Sequence, residues 1–207
     1  MYIPEHFAAS DADALITRLS RRSAGLLVSV SAEGNPIGTH LPILWDGEKK
    51  IVTGHIARAN PHHKLGPGRG LIALSGAEAY VSPSFYPSKA EHGKAVPTWN
   101  YEAVHLSGAV AWFDEPARLE AVVRELSQRH ESARAEPWSI DAAPRPYIQK
   151  LLGAIVGVEM RVDRIEAKRK LSQNKGAADF GGVVAGLSVD DDAMAREIAD
   201  QMREAGK

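Results

Sequence analysis

The stretch from Thr53 to Pro61 has residue types that could bind an anion. It reads Thr-Gly-His-Ile-Ala-Arg-Ala-Asn-Pro, and it leaves a predicted strand, turns and enters a short helical turn. Free backbone N–H groups at such a turn, next to Arg58 and Lys64, favour a phosphate. The alternative is that both cations are solvated loop charges, while Asn60 only adopts the extended backbone required before proline.

A second stretch concentrates aromatic, proline and small polar residues. Seven of the thirteen aromatic residues lie between Tyr80 and Phe113. A flat apolar ligand would suit such surroundings, because Trp99 could cover a ring while Thr98 and Asn100 supply hydrogen bonds. The alternative is a rigid loop packed on the protein or at a dimer interface, where aromatic residues are also enriched.

A third stretch, from Lys168 to Lys175, is basic. Between Arg161 and Lys175 there are six basic residues against two acidic ones, Asp163 and Glu166. Such a patch could hold a phosphate, a nucleic-acid backbone, or only water.

Several kinds of chemistry are excluded by the sequence. The chain of 207 residues has no cysteine, so disulfides, thiolate metal sites and thiol nucleophiles are absent. His62 and His63 are adjacent, no His-x-x-x-His spacing occurs among the eight histidines, and we expect no metal site. The nucleophile-elbow, Walker and Rossmann glycine motifs are missing as well. Any redox chemistry therefore requires a bound cofactor, and no catalytic residue can be named.

The overall charge limits the partners. Lys and Arg number 25 and Asp and Glu number 26, so the net charge is −1, which argues against a protein that wraps nucleic acid. The sequence also shows no helix-turn-helix pattern with a basic second helix. No run of about 18 apolar residues and no signal-peptide pattern occur. We therefore expect a cytoplasmic protein with no membrane contact.

Strands account for most of the predicted elements that position these stretches. Residues that alternate between apolar and polar predict an antiparallel barrel or sandwich that begins as a three-stranded meander. The predicted strands are Leu26–Ser31, Ile37–Asp46, Ile51–Ile56, Leu71–Ser75, Ala77–Val81, Thr98–Trp112 with a bulge near Gly108, and Val156–Val162.

Apolar residues at helical spacing predict helices around these strands. They are Ser10–Arg22, the segment after Asp114-Glu115-Pro116, a short helix after Pro144 and Pro146, and two pieces between Gly176 and Gly206. Ser188 or Asp190 is the expected N-cap of the last piece. The sequence thus predicts a mainly β protein with flanking helices, an α+β fold. We expect a single domain over residues 1–207, with a core over about 24–170 and a C-terminal helical extension over about 176–206.

Five motifs in order resemble the PaiB-type FMN-binding family of negative transcriptional regulators, within the pyridoxamine-phosphate-oxidase-like split barrels. They are MYIPEHF (1–7), GHIARANP (54–61), AYVSPSFYPSK (79–89), VPTWNY (96–101) and KLSQNK (170–175). The resemblance implies an antiparallel FMN-binding split β-barrel that forms a homodimer with the flavin at the subunit interface. One departure is that His62 stands where the family often has an aromatic residue.

The resemblance also implies a set of flavin-binding residues. Thr39 to Pro42 and Thr53 to Asn60 would line the flavin, with Arg58 and Asn60 nearest its phosphate. Residues from two later motifs, some of them from the partner chain, would complete the site. The expected cofactor-binding residues are Thr39, Leu41, Thr53, His55, Ala57, Arg58, Asn60, Trp99, Asn100, Lys170, Gln173 and Asn174.

Three functions are compatible with this resemblance. The first is a negative transcriptional regulator that contacts DNA directly or through another regulator. The second is a flavin-dependent oxidoreductase that acts on a small substrate, in which the flavin does the chemistry and the protein supplies binding and electrostatics. The third is a flavin storage or structural dimer.

Overall fold

A computed structural model describes residues 1–206 as seven strands and six helices with short 3₁₀ turns between them. The strands are β1 (Gly25–Val30), β2 (Pro36–Leu41), β3 (Ile43–Asp46), β4 (Ile51–Ala57), β5 (Gly68–Val81), β6 (Thr98–Phe113) and β7 (Ile155–Lys170). The helices are α1 (Ala12–Arg22), α2 (Ser88–His92), α3 (Pro116–Glu131), α4 (Arg145–Gly153), α5 (Ala177–Ser188) and α6 (Ala193–Ala205). The predicted α+β class is confirmed. Within residues 1–206, every helix is too short or too polar to span a bilayer.

The sheet closes on itself around Pro42. Its strand order is β2-β1-β5-β6-β7-β4-β3, so that β2 and β3 are the two edges of the series. Only Pro42 separates the end of β2 at Leu41 from the start of β3 at Ile43. Two residues span at most about 7.6 Å, because consecutive Cα atoms lie 3.8 Å apart. The two edges must therefore meet, which makes the sheet a barrel.

The predicted meander is wrong at this corner. The strand predicted from Ile37 to Asp46 is two strands, of which β2 pairs with β1 and β3 pairs with β4. The alternation does not reveal the break, because Leu41 and Ile43 are both buried on either side of Pro42. Proline lacks the N–H group that would continue the ladder, and the chain changes partners there.

The chain divides into two compact units. The barrel unit contains Ala12–Leu74 and His105–Ile165, and the terminal unit contains Met1–Asp11, Ser75–Val104 and the residues from Glu166 onward. In the barrel unit, the strand residues Leu27, Ile72, Leu106 and Met160 are fully buried. Helices α3 and α4 add a second apolar cluster that includes Leu44, Phe113, Leu119, Val122, Leu126, Ile148 and Leu152.

Strand β5 corrects a second prediction, since Leu71–Ser75 and Ala77–Val81 are parts of one strand. The buried residues have even numbers in the first half of the strand, Ile72 and Leu74, and odd numbers in the second half, Ala77 and Ala79. Because successive side chains point to opposite faces, the buried face changes there. The backbone continues where the sequence pattern breaks.

Gly108 allows β6 and β7 to approach closely. A Cβ atom at Gly108 would lie 2.0 Å from the carbonyl oxygen of Arg161. Burial alternates without interruption from Asn100 to Val110, so the pattern shows no shift at the predicted bulge. The glycine is required by the neighbouring backbone.

The terminal unit is built around α5 and α6. These helices pack on β5 and on the loop after it, with Val81, Leu187, Ile198 and Met202 fully buried in a shared cluster. The predicted N-cap of α6 is wrong, because Asp192 accepts a hydrogen bond of 2.8 Å from the backbone N–H of Met194. Ser188 is the last residue of α5 and cannot cap the next helix.

Candidate functional site

The predicted cofactor-binding residues fall into two groups, one in each unit. The barrel unit holds Thr39, Leu41, Thr53, His55, Ala57, Arg58 and Asn60, and the terminal unit holds Trp99, Asn100, Lys170, Gln173 and Asn174. The described residues contain no group of three His, Cys, Asp or Glu side chains arranged to hold a metal ion.

Asn60 joins the end of β4 to β2. Its backbone is extended before Pro61, with φ −71° and ψ 122°, and its side-chain oxygen accepts a hydrogen bond of 3.0 Å from the N–H of His62. This contact fixes the orientation of the amide, because only the oxygen can accept. The amide nitrogen therefore donates to Thr39 Oγ1, at 3.2 Å. Asn60 thus has a second role besides the extended backbone required before Pro61, because its side chain holds Thr39 in place.

His62 completes a buried cluster with these two residues. The side chain is fully buried, and its Nδ1 lies 2.9 Å from Thr39 Oγ1. Thr39 Oγ1 accepts a hydrogen bond from the amide of Asn60, and within residues 1–206 Nδ1 of His62 is the group placed to accept the hydroxyl proton in a second hydrogen bond. When Nδ1 accepts this bond, the ring proton of neutral His62 is on Nε2, which is buried without a hydrogen-bond partner among residues 1–206. Burial lowers the pKa of His62, which favours the neutral ring.

Trp112 and His63 hold the 3₁₀ turn that carries His62. The ring centroids of His62 and Trp112 are 5.6 Å apart, and the Trp112 Nε1 donates to the carbonyl of Gly66 at 3.1 Å. Nδ1 of His63 lies 2.7 Å from the carbonyl oxygen of Asn60. Sequence reasoning considered His62 as a metal ligand and as a departure from the family pattern, and it did not include His62 among the flavin-binding residues. Its place directly after the Asn-Pro pair was the available signal.

Two of the predicted residues in β4, Thr53 and His55, lie on the opposite face of the sheet from Thr39. A Cβ atom at Gly54 would lie 3.1 Å from the side chain of Leu41, so Gly54, Leu41 and Thr39 share a face. Thr53 and His55 alternate with Gly54 and point to the other face, where Thr53 borders α3 residue Glu125. The structure therefore does not bring Thr53 and His55 together with Thr39.

His55 and Leu41 have surroundings that limit their roles. Nδ1 of His55 is buried without a hydrogen-bond partner, and burial lowers the pKa of the ring. Leu41 is only 1% exposed, so its side chain belongs to the core and only its backbone can face a ligand. Ala57 is exposed at the end of β4, and its carbonyl accepts from the N–H of Asn60 at 2.9 Å.

Arg58 is bound to the end of α4. Its Nε donates to the carbonyl of Gly153 at 2.8 Å, and its Nη2 donates to the carbonyl of Ile155 at 2.9 Å. Asp114 lies 3.8 Å from Nη1. The guanidinium thus neutralises the negative end of a helix. The predicted role of Arg58 as a phosphate ligand stays a prediction, and its contacts favour a structural role.

In the terminal unit, Lys170 is a cation whose recorded partners are neutral. Its Nζ donates to Thr98 Oγ1 and, at 2.5 Å, to the carbonyl of Trp99. Burial, then Lys168 and Lys175, lower the pKa of this ammonium group. Three ammonium groups thus lie near one another where solvent is partly excluded, and like charges repel strongly in such surroundings. An anion would relieve this repulsion.

The two neighbouring lysines lie against aromatic rings. The Nζ of Lys168, a residue that is 7% exposed, lies 5.1 Å from the ring centroid of Tyr101 and donates to the carbonyl of Tyr2 at 3.2 Å. The Nζ of Lys175 lies 4.6 Å from the ring centroid of Tyr86. Cation–π contacts hold these charges in place without neutralising them.

The remaining predicted residues support the turn after β7. Asn100 is fully buried and exchanges hydrogen bonds of 3.0 and 3.2 Å with Ser172, whose φ is +63°. The side chain of Gln173 accepts from the N–H of Leu171 and donates to the carbonyl of Arg169. Sequence reasoning missed Ser172, whose strained backbone needs this support.

Trp99 and Asn174 are the accessible members of this group. Asn174 is exposed, and Trp99 is 51% exposed. The ring of Trp99 meets Tyr80 edge to face, with 6.0 Å between ring centroids. An exposed indole beside an ammonium group whose hydrogen-bond partners are neutral suits a ligand with a flat ring and a negative charge.

These donors fit the FMN that the resemblance implies. FMN has a phosphate, which needs hydrogen-bond donors and positive charge, and a flat ring system. The barrel unit offers a buried hydroxyl and an imidazole with an unpartnered nitrogen, and the terminal unit offers Lys170 and Trp99. Each unit by itself therefore offers groups that suit part of the cofactor.

Comparison with known sequences agrees with this chemistry. The model of the family described as "Putative FMN-binding domain" matches residues 1–164. The Bacillus subtilis (strain 168) protein named "Protease synthase and sporulation protein PAI 2" is 30% identical over 208 residues, which cover 99% of this chain and 97% of that protein. An uncharacterised Saccharomyces cerevisiae protein is 28% identical over 159 residues, which cover 66% of this chain and 94% of that protein.

Solved structures show the same fold. The conserved hypothetical protein Rv2991 from Mycobacterium tuberculosis has a TM-score of 0.57 at 15% identity, and the match covers 84% of this chain and 92% of that one. The flavocytochrome Anf3 from Azotobacter vinelandii has a TM-score of 0.57 at 14% identity, with 87% and 78% of the two chains covered. These likenesses confirm the predicted split β-barrel.

The match to the family model includes Thr39, Asn60 and His62, whereas the turn after β7 lies beyond residue 164. The B. subtilis relative aligns with almost the whole chain, so its similarity extends across both groups of residues. The chain therefore belongs to this family of FMN-binding domains, and FMN is its cofactor.

Proposed function

We propose that the protein is a cytoplasmic homodimer that binds FMN and acts as a negative regulator of transcription. The observation that carries this proposal is the similarity to the B. subtilis protein along 99% of the chain, because the name of that protein refers to sporulation. Bound FMN supplies one- and two-electron redox chemistry. In this proposal the redox state of the flavin shifts the conformational equilibrium of the dimer.

The two groups of residues divide the binding of FMN between them. Thr39 and Asn60 bind the phosphate through hydrogen bonds, but both are neutral, and burial favours neutral His62. A phosphate dianion also needs a cation, and Lys170 is partly buried with the neutral hydrogen-bond partners Thr98 and Trp99. In the homodimer, Lys170 and Trp99 come from the partner subunit. Asn100 and Gln173 shape the turn that presents them.

Lys170→Met tests the cofactor proposal. We expect the purified protein to show a flavin spectrum and to bind added FMN, and we expect Lys170→Met to weaken FMN binding about tenfold or more, because a charge-assisted contact is lost. Fluorescence quenching during FMN titration measures this. Lys89→Met is the matched control, since Lys89 is exposed on α2. Equal affinities of the two variants would contradict the assignment of Lys170.

Regulation through another protein suits the C-terminal helices better than direct reading of DNA. Helices α5 and α6 are consecutive, but α6 carries Arg196 and Arg203 against Glu197, Asp200 and Glu204. A helix that enters the major groove needs a basic surface, because phosphate contacts dominate affinity for DNA. We therefore propose that a partner regulator supplies the contact with DNA.

Footprinting on upstream DNA, with and without a cell extract, tests this mode of action. We expect sequence-dependent protection only when the extract is present. Protection by the purified protein alone would show direct binding instead. Bleaching of the flavin by NADPH, followed by turnover of a small substrate, would replace the regulator with a flavin-dependent oxidoreductase.

A further inference from the structure

The Thr39 hydroxyl is committed to its neighbours in a way that does not suit a phosphate. Oγ1 accepts from the amide of Asn60 and lies 2.9 Å from Nδ1 of His62, to which it donates its single proton when the ring proton is on Nε2. A phosphate dianion, the main form of a phosphate monoester at neutral pH, accepts hydrogen bonds and has no proton to donate. For Thr39 to bind a phosphate, its proton must turn away from His62, and His62 Nδ1 must then donate instead of accept.

His62 is free to make this change because nothing holds its proton on Nε2. That nitrogen is buried and has no hydrogen-bond partner within residues 1–206. His63 provides the contrast, since its Nδ1 lies 2.7 Å from the carbonyl oxygen of Asn60, which accepts only and keeps a proton on Nδ1. The two tautomers of His62 are thus distinguished mainly by the direction of the Thr39 hydrogen bond.

We propose that His62 is a positioning residue that sets the direction of the Thr39 hydroxyl and thereby makes the site selective for phosphorylated flavin. When the phosphate binds, the Thr39 proton turns to a phosphate oxygen, His62 Nε2 releases its proton to water, and Nδ1 takes up a proton from water. The ring remains neutral, and the charge of the site is unchanged. The inference rests on the proposed binding of the FMN phosphate by Thr39.

Nitrogen NMR of the full-length protein labelled in its histidine rings tests the exchange without any substitution. The probes are FMN and riboflavin, which share the ring system and differ in the phosphate. We expect FMN to move the proton of His62 from Nε2 to Nδ1, riboflavin to leave it on Nε2, and His63 to keep its proton on Nδ1 with both. A His62 tautomer that is the same with both flavins would overturn the proposal.

Substitutions at His62 give a second readout, the ratio of the riboflavin and FMN dissociation constants. His62→Leu removes the partner of Thr39, and we expect FMN affinity to fall about tenfold while riboflavin affinity changes by less than about twofold. His62→Asn places an amide near the position of Nδ1, which can donate or accept, and should restore most of the ratio. Thr39→Val should lower the ratio as His62→Leu does.

The outcomes separate this inference from the proposed function. Equal losses for the two flavins in His62→Leu would show that His62 only supports the fold. If the wild-type protein binds neither flavin, the cofactor assignment fails. If it binds both with the same affinity, the cofactor remains and the selectivity proposal is overturned. If circular dichroism shows that His62→Leu does not fold, the NMR measurement and the affinities of Thr39→Val test the proposal.

Discussion

At the scale of single residues, the protein places two histidines where the charged ring is disfavoured. Burial lowers the pKa of both His55 and His62, each of which has one ring nitrogen that is buried and unpartnered. Their function differs in our proposal. His62 supports a ligand-facing hydroxyl, whereas His55 lies on the other face of the sheet.

The two histidines should make stability depend on pH. In the unfolded chain they titrate near pH 6.5, and in the folded protein only at lower pH. The unfolded state therefore binds more protons below about pH 6.5, and the free energy of unfolding should fall as the pH decreases from about 7 to 5.5, by no more than about 1.4 kcal/mol per pH unit for each histidine. Urea denaturation at several pH values measures this.

The carboxylates do not obscure this window. Asp46, Asp163 and Asp179 have lowered pKa values because of hydrogen bonds to Lys49, Arg69 and Ser88, so their contribution is lost only at more acidic pH. A variant with both His55→Asn and His62→Asn is the control, and its stability should change less between pH 7 and 5.5. Stability of the wild type that does not change over this interval would contradict the burial of the neutral rings.

At the scale of elements, Arg58 connects the end of β4 to the end of α4. We expect Arg58→Ala to lower the free energy of unfolding by about 1–2 kcal/mol, because the carbonyls of Gly153 and Ile155 lose a charged donor. The estimate is at the lower end for charged hydrogen bonds, since the side chain of Arg58 is 43% exposed. Denaturant unfolding measures the change.

Arg134→Ala provides the comparison for Arg58. Arg134 makes an exposed ion pair with Glu131, and its loss should change stability by less than about 0.5 kcal/mol. We also expect FMN affinity to remain within about twofold of the wild type in Arg58→Ala. A large loss of FMN affinity with little loss of stability would show instead that Arg58 binds the phosphate of FMN.

At the scale of the whole molecule, the proposed homodimer brings Thr39 of one subunit and Lys170 of the other to the same flavin. Mixing two variants that each bind FMN poorly tests this arrangement. In mixed dimers of Thr39→Val and Lys170→Met, one site combines both substitutions and the other site has neither. We therefore expect FMN binding to reappear in up to half of the sites of each mixed dimer, as measured by titration after subunit exchange.

The opposite arrangement gives a different result. If Thr39 and Lys170 of the same chain bind one flavin, each site of the mixed dimer keeps one substitution and binding does not reappear. Sedimentation at the concentration of the titration shows whether dimers are present. A monomer that binds FMN with wild-type affinity would contradict the role of the partner subunit.

The sequence by itself determined the residue classes and most elements. The alternation of Val156, Val158, Met160 and Val162 predicts a strand, and all four side chains are buried in β7. The motif from Gly54 to Pro61 predicts a strand that ends at a turn with Asn60 before proline, and the structure has it. These features are local, because each depends on the period of a strand or on the backbone preference of a few neighbouring residues.

Only the tertiary structure decided which of these residues meet. Pro42 interrupts a regular alternation, and nothing in that alternation shows that β2 and β3 pair with different strands. The same pairing brings Thr39 to Asn60 and His62, while Thr53 and His55 point to the other face. Sequence spacing cannot show this, because contacts between distant residues depend on how the sheet closes and on which face each strand turns inward.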